Sequence, residues 1–166
     1  MNQPNQVWAT DITYVPMEKG FGYLVAIMDW HSRKVMSWCL SNTLDIDFCI
    51  QALEAATQNH GCLKIINSDQ GVQFTSEAFS SVLKTNGIQI SMDGKGCYDD
   101  NIFVERLWRT VKCEHLYTRK FNNLKKVRKT LNVWLNWYNQ ERFHQNIDDL
   151  TPDEVYYQKN ALSQAV

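Results

Sequence analysis

Three carboxylates stand where carboxylates are costly or conspicuous. Asp11 lies among Trp8, Thr10, Ile12 and Tyr14 in a segment that reads as a strand. An acid in a half-buried strand costs several kcal/mol unless it is paired, protonated or bound to a cation. Asp69 ends the short apolar run Ile65-Ile66-Asn67-Ser68 and precedes the Gln70-Gly71 turn, which places it at the mouth of a sheet. Glu105 sits inside the helical pattern Asn101-Ile102-Phe103-Val104-Glu105-Arg106-Leu107-Trp108-Arg109. Three acids on separate elements form an oxygen-only ligand set, which suits a hard divalent cation such as Mg²⁺ or Mn²⁺ and not zinc. Two such ions about 3.5–4 Å apart can activate a water or a 3′-hydroxyl on one side of a phosphodiester and stabilise the leaving oxygen on the other. Asp11 would then bridge the ions, with Asp69 on one and Glu105 on the other.

The elements that must position these acids follow from periodicity. Val7 to Val15, Phe21 to Met28 and Arg33 to Leu40 read as an antiparallel meander of three strands with short turns. Thr43 to His60 reads as a helix with Leu44, Phe48, Cys49, Ala52, Leu53 and Ala56 on one side and Gly61 as its C-cap. Leu63 to Asn67 is a fourth strand. Ser76 caps a helix carrying Phe79, Val82 and Leu83, which Asn86-Gly87 ends, and Ile88 to Met92 is a fifth strand. A βαβαβ tail on a meander predicts an α/β fold with a mixed five-stranded sheet flanked by helices.

After the glycine-containing loop 93–100, Asp99 or Asp100 is expected to cap the helix of Glu105, and Asp93 and the remaining acid to be solvated. On that helix Asn101, Glu105, Arg109 and Lys112 share one face, while Val104, Leu107, Trp108 and Val111 are assigned to packing. Ordinary i,i+4 surface pairs explain the polar face equally well. A long helix with the stripe Leu124, Val127, Leu131, Trp134, Leu135 and Tyr138 follows, and Thr151-Pro152-Asp153-Glu154 starts another with a capping box. Asp29, a fourth acid, lies beside a Ser-Arg turn and is expected to be a structural cap.

With 166 residues and 44% apolar content, one domain spanning 1–166 with its own core is expected. Five cysteines with no C-x-x-C pair exclude a disulfide framework and a structural zinc site. No segment resembles a signal peptide or a membrane span, so a soluble cytoplasmic protein is expected. The net charge of −1 conceals an asymmetry: residues 1–105 carry −6, residues 106–142 carry +8 and residues 143–166 carry −3. A basic block that begins beside Glu105 is the polarity a polyanion held over a metal site requires. A solvated helical face would show the same charge. The candidate nucleic-acid contacts are Asn101, Arg109, Lys112, Lys125, Lys126, Arg142 and His144.

Several segments together resemble the catalytic core of insertion-sequence DDE transposases, the group that shares its integrase core with retroviral integrases. They are Trp8-Ala-Thr-Asp11-Ile-Thr-Tyr14, Asp29-Trp-His-Ser-Arg-Lys34, Ser68-Asp-Gln-Gly-Val-Gln-Phe-Thr-Ser76 and Ser91-Met-Asp-Gly-Lys-Gly-Cys-Tyr-Asp-Asp-Asn101 running on to Glu105. The tail segments Tyr138-Asn139, Arg142-Phe-His144 and Leu150-Thr-Pro152 extend the likeness over nearly the whole chain, and 35 residues separate Asp69 from Glu105. The resemblance implies a ribonuclease-H-like fold, the triad Asp11, Asp69 and Glu105, two Mg²⁺ or Mn²⁺ ions, and DNA strand cleavage and transfer. It also implies a homo-oligomer, expected to be a dimer, acting on element ends and target DNA near the bacterial nucleoid, with Lys112 contacting the DNA end. Helix-turn-helix segments that usually precede such a core are missing, which is expected of an excised domain, a truncated element, or a core that works with a separate helix-turn-helix DNA-binding chain. Two rivals remain: a nuclease of the same fold that only hydrolyses, and a remnant that keeps the fold as a DNA-binding or assembly module.

Overall fold

Strand periodicity sorts side chains to two faces, and helices cover both. The computed structural model describes residues 3–61, 63–92 and 101–163. Strand β1 (Val7–Pro16) pairs antiparallel with β2 (Phe21–Asp29), which pairs antiparallel with β3 (Val35–Ser41). On its other edge β1 pairs parallel with β4 (Ile65–Ser68), and β4 pairs parallel with β5 (Gln89–Met92). The sheet order is β3-β2-β1-β4-β5, the mixed five-stranded arrangement expected from the sequence.

Helices α1 (Asp47–His60) and α2 (Glu77–Thr85) cover one face. There Trp8, Val25, Ile27 and Ile66 pack against Phe48, Leu53, Phe79 and Leu83. Helices α3 (Ile102–Glu114) and α4 (Leu124–Gln140) cover the other, where Ala9, Val15, Leu24 and Met28 meet Val104, Leu107, Val111, Leu131 and Leu135. Burying each of these large side chains contributes about 1.5–3 kcal/mol, so both helical layers are tied firmly to the sheet.

The ends of the helices follow local chemistry. Ser76 Oγ accepts the Phe79 N–H at 3.2 Å and Asn123 Oδ1 accepts the Lys126 N–H at 2.9 Å, both N-caps. The capping box of α5 (Pro152–Ser163) closes as expected: Thr151 N–H donates to Glu154 Oε2 at 2.8 Å, and Glu154 N–H donates to Thr151 Oγ1 at 3.3 Å.

Several boundaries differ from expectation: β4 begins at Ile65 and not Leu63 and ends at Ser68, and β5 begins at Gln89 and not Ile88. Helix α1 begins at Asp47 and not Thr43, because the Ser41 and Asp45 side chains take the N–H groups of Thr43 and Asp47 and hold a turn, leaving Leu44 exposed. Strand β3 begins at Val35, because Arg33 adopts φ 65° to complete the turn from β2. Loop 93–100, with Asp93, Asp99 and Asp100, lies outside the described residues, and the N-cap of α3 is Asn101. No described helix is long and apolar enough to cross a membrane.

Candidate active site

Strand register sets up the site. Ala9, Asp11, Thr13 and Val15 alternate onto one face of β1, and Ala9 and Val15 pack in the core beneath α3 and α4. Asp11 therefore faces α3. The parallel ladder from β1 to β4 ends at Thr10↔Ser68, one residue before Asp11, while β2 continues alongside with Asp11↔Ala26. The β1/β4 seam opens at that step, and the next residue of each strand is an aspartate, Asp11 and Asp69.

Asp11 Oδ2 accepts a hydrogen bond from the indole N–H of Trp108 at 2.9 Å. Burial pushes the Asp11 carboxyl up to about 6; the Trp108 and Ile12 N–H groups pull it back down, and the charges of Asp69 and Glu105 raise it further. The last effect matters most for function, because it means that three acids remote in sequence share one electrostatic neighbourhood.

Asp69 is held by its own turn. Gly71 N–H donates to Asp69 Oδ1 at 3.0 Å, and the Gly71 carbonyl accepts from the N–H groups of Phe74 and Thr75 at 3.0 and 3.1 Å. Phe74 is buried against Phe79, which anchors the turn to the core. A Cβ on residue 71 would stand 2.8 Å from Asp69 Oδ1, so glycine is required there for the carboxylate to keep this position.

Glu105 projects from an exposed position of α3, whose buried Val104, Leu107, Trp108 and Val111 dock it on the sheet. Glu105 and Trp108 are three residues apart, so the helix that carries one acid also delivers the hydrogen-bond donor to another. This corrects the assignment of Trp108 to packing alone. Its signal in the sequence was an indole N–H on a half-polar helix, a group that seeks an acceptor when buried.

The donor set is all carboxylate oxygen and fits a hard divalent cation. Among the described residues, no three His, Cys, Asp or Glu side chains already stand in ligating geometry.

The remaining candidates separate. Arg109 is exposed and Lys112 half-buried on α3, but Asn101, expected on the same face, is buried with 5% exposure, and its Oδ1 meets no hydrogen-bond partner among the described residues. Lys125 and Lys126 are exposed in the first turn of α4, whereas Arg142 and His144 lie beyond its far end. A 17-residue helix is about 25 Å long, so these two pairs cannot belong to one small patch. Arg142 is also engaged by Glu114, through Nη2 at 2.7 Å and Nε at 3.3 Å.

Asp29 is structural, as its context suggested. It is fully buried; Oδ1 accepts from Asn5 N–H at 2.8 Å, and Oδ2 accepts from Ser32 N–H at 2.8 Å and Ser32 Oγ at 2.7 Å.

Comparison with known proteins gives the family and the fold. The Integrase core domain family matches residues 1–96, and a second family of the same description matches residues 86–152. An uncharacterized transposase-like protein of Haemophilus influenzae is 30% identical over 97% of this chain and 74% of its own length. The transposase for insertion sequence element IS904 of Lactococcus lactis is 31% identical over 91% of this chain and 61% of its own, and transposase InsF for insertion sequence IS3fB of Escherichia coli is 31% identical over 95% and 56%. The chain thus spans between about half and three quarters of the length of these curated relatives. Among solved structures, the HTLV-2 integrase catalytic core domain in complex with magnesium superposes with a TM-score of 0.75 at 24% identity, covering 93% of this chain and 97% of that one. A chain of the simian T-cell lymphotropic virus intasome superposes with a TM-score of 0.80 at 19% identity, covering 95% and 56%. These likenesses are of fold, the ribonuclease-H-like fold of integrase catalytic cores. Matched over more than half its length by the family and over nearly all of it by insertion-sequence transposases, the chain belongs to the integrase core family.

Proposed function

We propose that this chain is the catalytic core of an insertion-sequence transposase that cleaves and joins DNA strands with the help of two Mg²⁺ or Mn²⁺ ions. What supports the proposal is the setting of Asp11, whose carboxyl is raised chiefly by burial and further by the charges of Asp69 and Glu105. Such mutual destabilisation is relieved by a shared cation and by little else in a site lined with oxygen donors.

Asp11, Asp69 and Glu105 would hold the ions, which when bound supply Lewis acidity to the attacking and leaving oxygens of a phosphodiester. The protein's part is orientation and electrostatics. Trp108 donates to one oxygen of Asp11, the Gly71 N–H holds Asp69 at the strand end, and docked α3 carries Glu105. Arg109 and Lys112, one and two turns along α3 from Glu105, would neutralise backbone phosphates of the DNA on either side of the reacting bond. Element ends and target DNA are the substrates on this reading, and a homodimer the working form. A location with the nucleoid in the cytoplasm follows from the substrate.

The test is incubation of the chain with Mn²⁺ or Mg²⁺ and labelled plain, nicked and hybrid duplexes, with joined products measured separately from hydrolysed ones. Strand joining that disappears in Glu105→Gln while the circular dichroism spectrum is unchanged is the expected result. Hydrolysis without joining would favour a plain nuclease, and full activity in Glu105→Gln would refute the triad.

A further inference from the structure

A second cationic site lines the flank of α3 that carries Phe103, Arg106 and Thr110. Arg33, Phe103, Arg106, Tyr138, Arg142 and His144 line a pocket of about 140 Å³, far above the ~10–15 Å³ that admits one water. The Arg33 guanidinium lies over the Phe103 ring, 3.2 Å from its centroid, and donates to the Trp30 carbonyl. Among the described residues neither Arg33 nor Arg106 makes an ion pair, whereas Arg142 at the same pocket is matched by Glu114. Asp29, the acid nearest Arg33 in the chain, already spends both oxygens on three N–H and O–H donors. His144 adds a buried Nε2 with no hydrogen-bond partner.

This is a half-built ion pair. Burial, with Arg106 adding repulsion, pulls Arg33 down to about 10, and burial with the neighbouring arginines pulls His144 down to about 4, so the ring is neutral and keeps one N–H to donate. A half-buried guanidinium held flat on an aromatic ring, with a second guanidinium across a small cavity, is pre-organised for a tetrahedral oxyanion that accepts from both. Among the described residues no carboxylate forms an ion pair with either guanidinium.

We propose that this pocket binds one phosphate group, gripped between Arg33 and Arg106 and flanked by His144. On the transposase reading the ligand is a backbone phosphate of the bound DNA, and this part of the proposal rests on that reading; free phosphate offers the same chemistry. The outer face of Arg109 and Lys112 is a separate contact.

The full chain is tested in two arms. In the first, anisotropy of a labelled duplex is followed over a salt series. Each phosphate contact contributes about 0.9 to the slope of log K against log salt, so Arg106→Ala and Arg33→Gln should each lower the slope by about one. The double variant should lower it by about one and not two, because both side chains hold the same phosphate. In the second arm, inorganic phosphate should raise the unfolding temperature of the wild type and not of Arg106→Ala if the pocket also takes the free ion. Arg106 is exposed, so its variant tests the site even if Arg33→Gln unfolds. A loss in the DNA arm assigns a backbone phosphate, and a loss in the phosphate arm alone assigns the free ion. Slopes and phosphate response unchanged in both variants, or slope losses that add to two, would overturn the proposal. A wild type that binds DNA through this pocket yet never joins strands would defeat the transposase reading and leave the pocket standing.

Discussion

Asp11 and Asp29 are acids on adjacent strands of one sheet, and their surroundings are opposite. Three donors, two of them backbone N–H groups, satisfy Asp29, which is sealed from solvent. Asp11 has one side-chain donor, two acidic neighbours and a raised pKa. A buried carboxylate surrounded by donors stabilises a turn; one surrounded by other carboxylates stabilises nothing unless a cation arrives. The first condition marks a structural acid and the second a candidate for chemistry, although the residue type is the same.

That contrast breaks most sharply under substitution. Asp11→Asn should reduce Mg²⁺-dependent DNA cleavage to background while the protein stays folded; measurable turnover by this variant would remove Asp11 from the site. Asp29→Ala should do the reverse. It strands the Asn5 and Ser32 N–H groups, at about 1–3 kcal/mol each, and the midpoint of urea unfolding should fall accordingly. An unchanged midpoint would show that the turn does not depend on its acid.

Asp11 also predicts a pH dependence of the opposite sign from the usual acid. Its carboxyl is raised from 3.8 to about 6, so between about pH 4 and 6 the folded chain holds a proton that the unfolded chain has lost. Without divalent cation, stability therefore falls as pH rises through that window, by ~1–3 kcal/mol. Asp11→Asn should remove the fall, and a wild-type stability that is flat from pH 4 to 7 in chelator would contradict the placement of the three charges.

Smaller effects sharpen the comparison. Trp108→Phe keeps the ring packing but removes the donor to Asp11; a ~10–100-fold loss in cleavage rate is expected, with about 1 kcal/mol of stability. A rate equal to wild type would make the indole a packing group only. Gly71→Ala should displace the Asp69 carboxylate and lower the rate several-fold at nearly constant stability, since the crowding falls on the tip of a side chain. Lys112→Ala, last, should reduce the salt slope of DNA binding by about one; an identical slope would take that face out of the interface.

Much of this was legible in the residues themselves. Strand alternation in Val7 to Pro16 and the apolar run of β2 predict the meander, Ser76 and the Thr151 capping box mark helix starts, and Asp11 is a charge among apolar strand residues, while Asp69 before its turn and Glu105 inside a helix are weak signals that gain weight only together with it. Those signals are local: they depend on side-chain period, on caps within one turn, or on a charge among apolar neighbours. The start of α1 was missed because Ser41 and Asp45 compete for the backbone, a contest that periodicity does not record.

What only the tertiary structure decided are the encounters. The sequence determines that Glu105 and Trp108 lie one helical turn apart, but not that α3 docks over β1 so that the indole reaches Asp11. It determines a basic block, but not that α4 carries Lys125 and Lys126 to one end and Arg142 to the other, or that Arg33, from a turn 73 residues earlier, joins Arg106 across a pocket. Local periodicity fixes which face a side chain takes. Which faces meet depends on how two amphipathic layers bury their apolar stripes against one sheet, and that is settled by the packing of the whole chain.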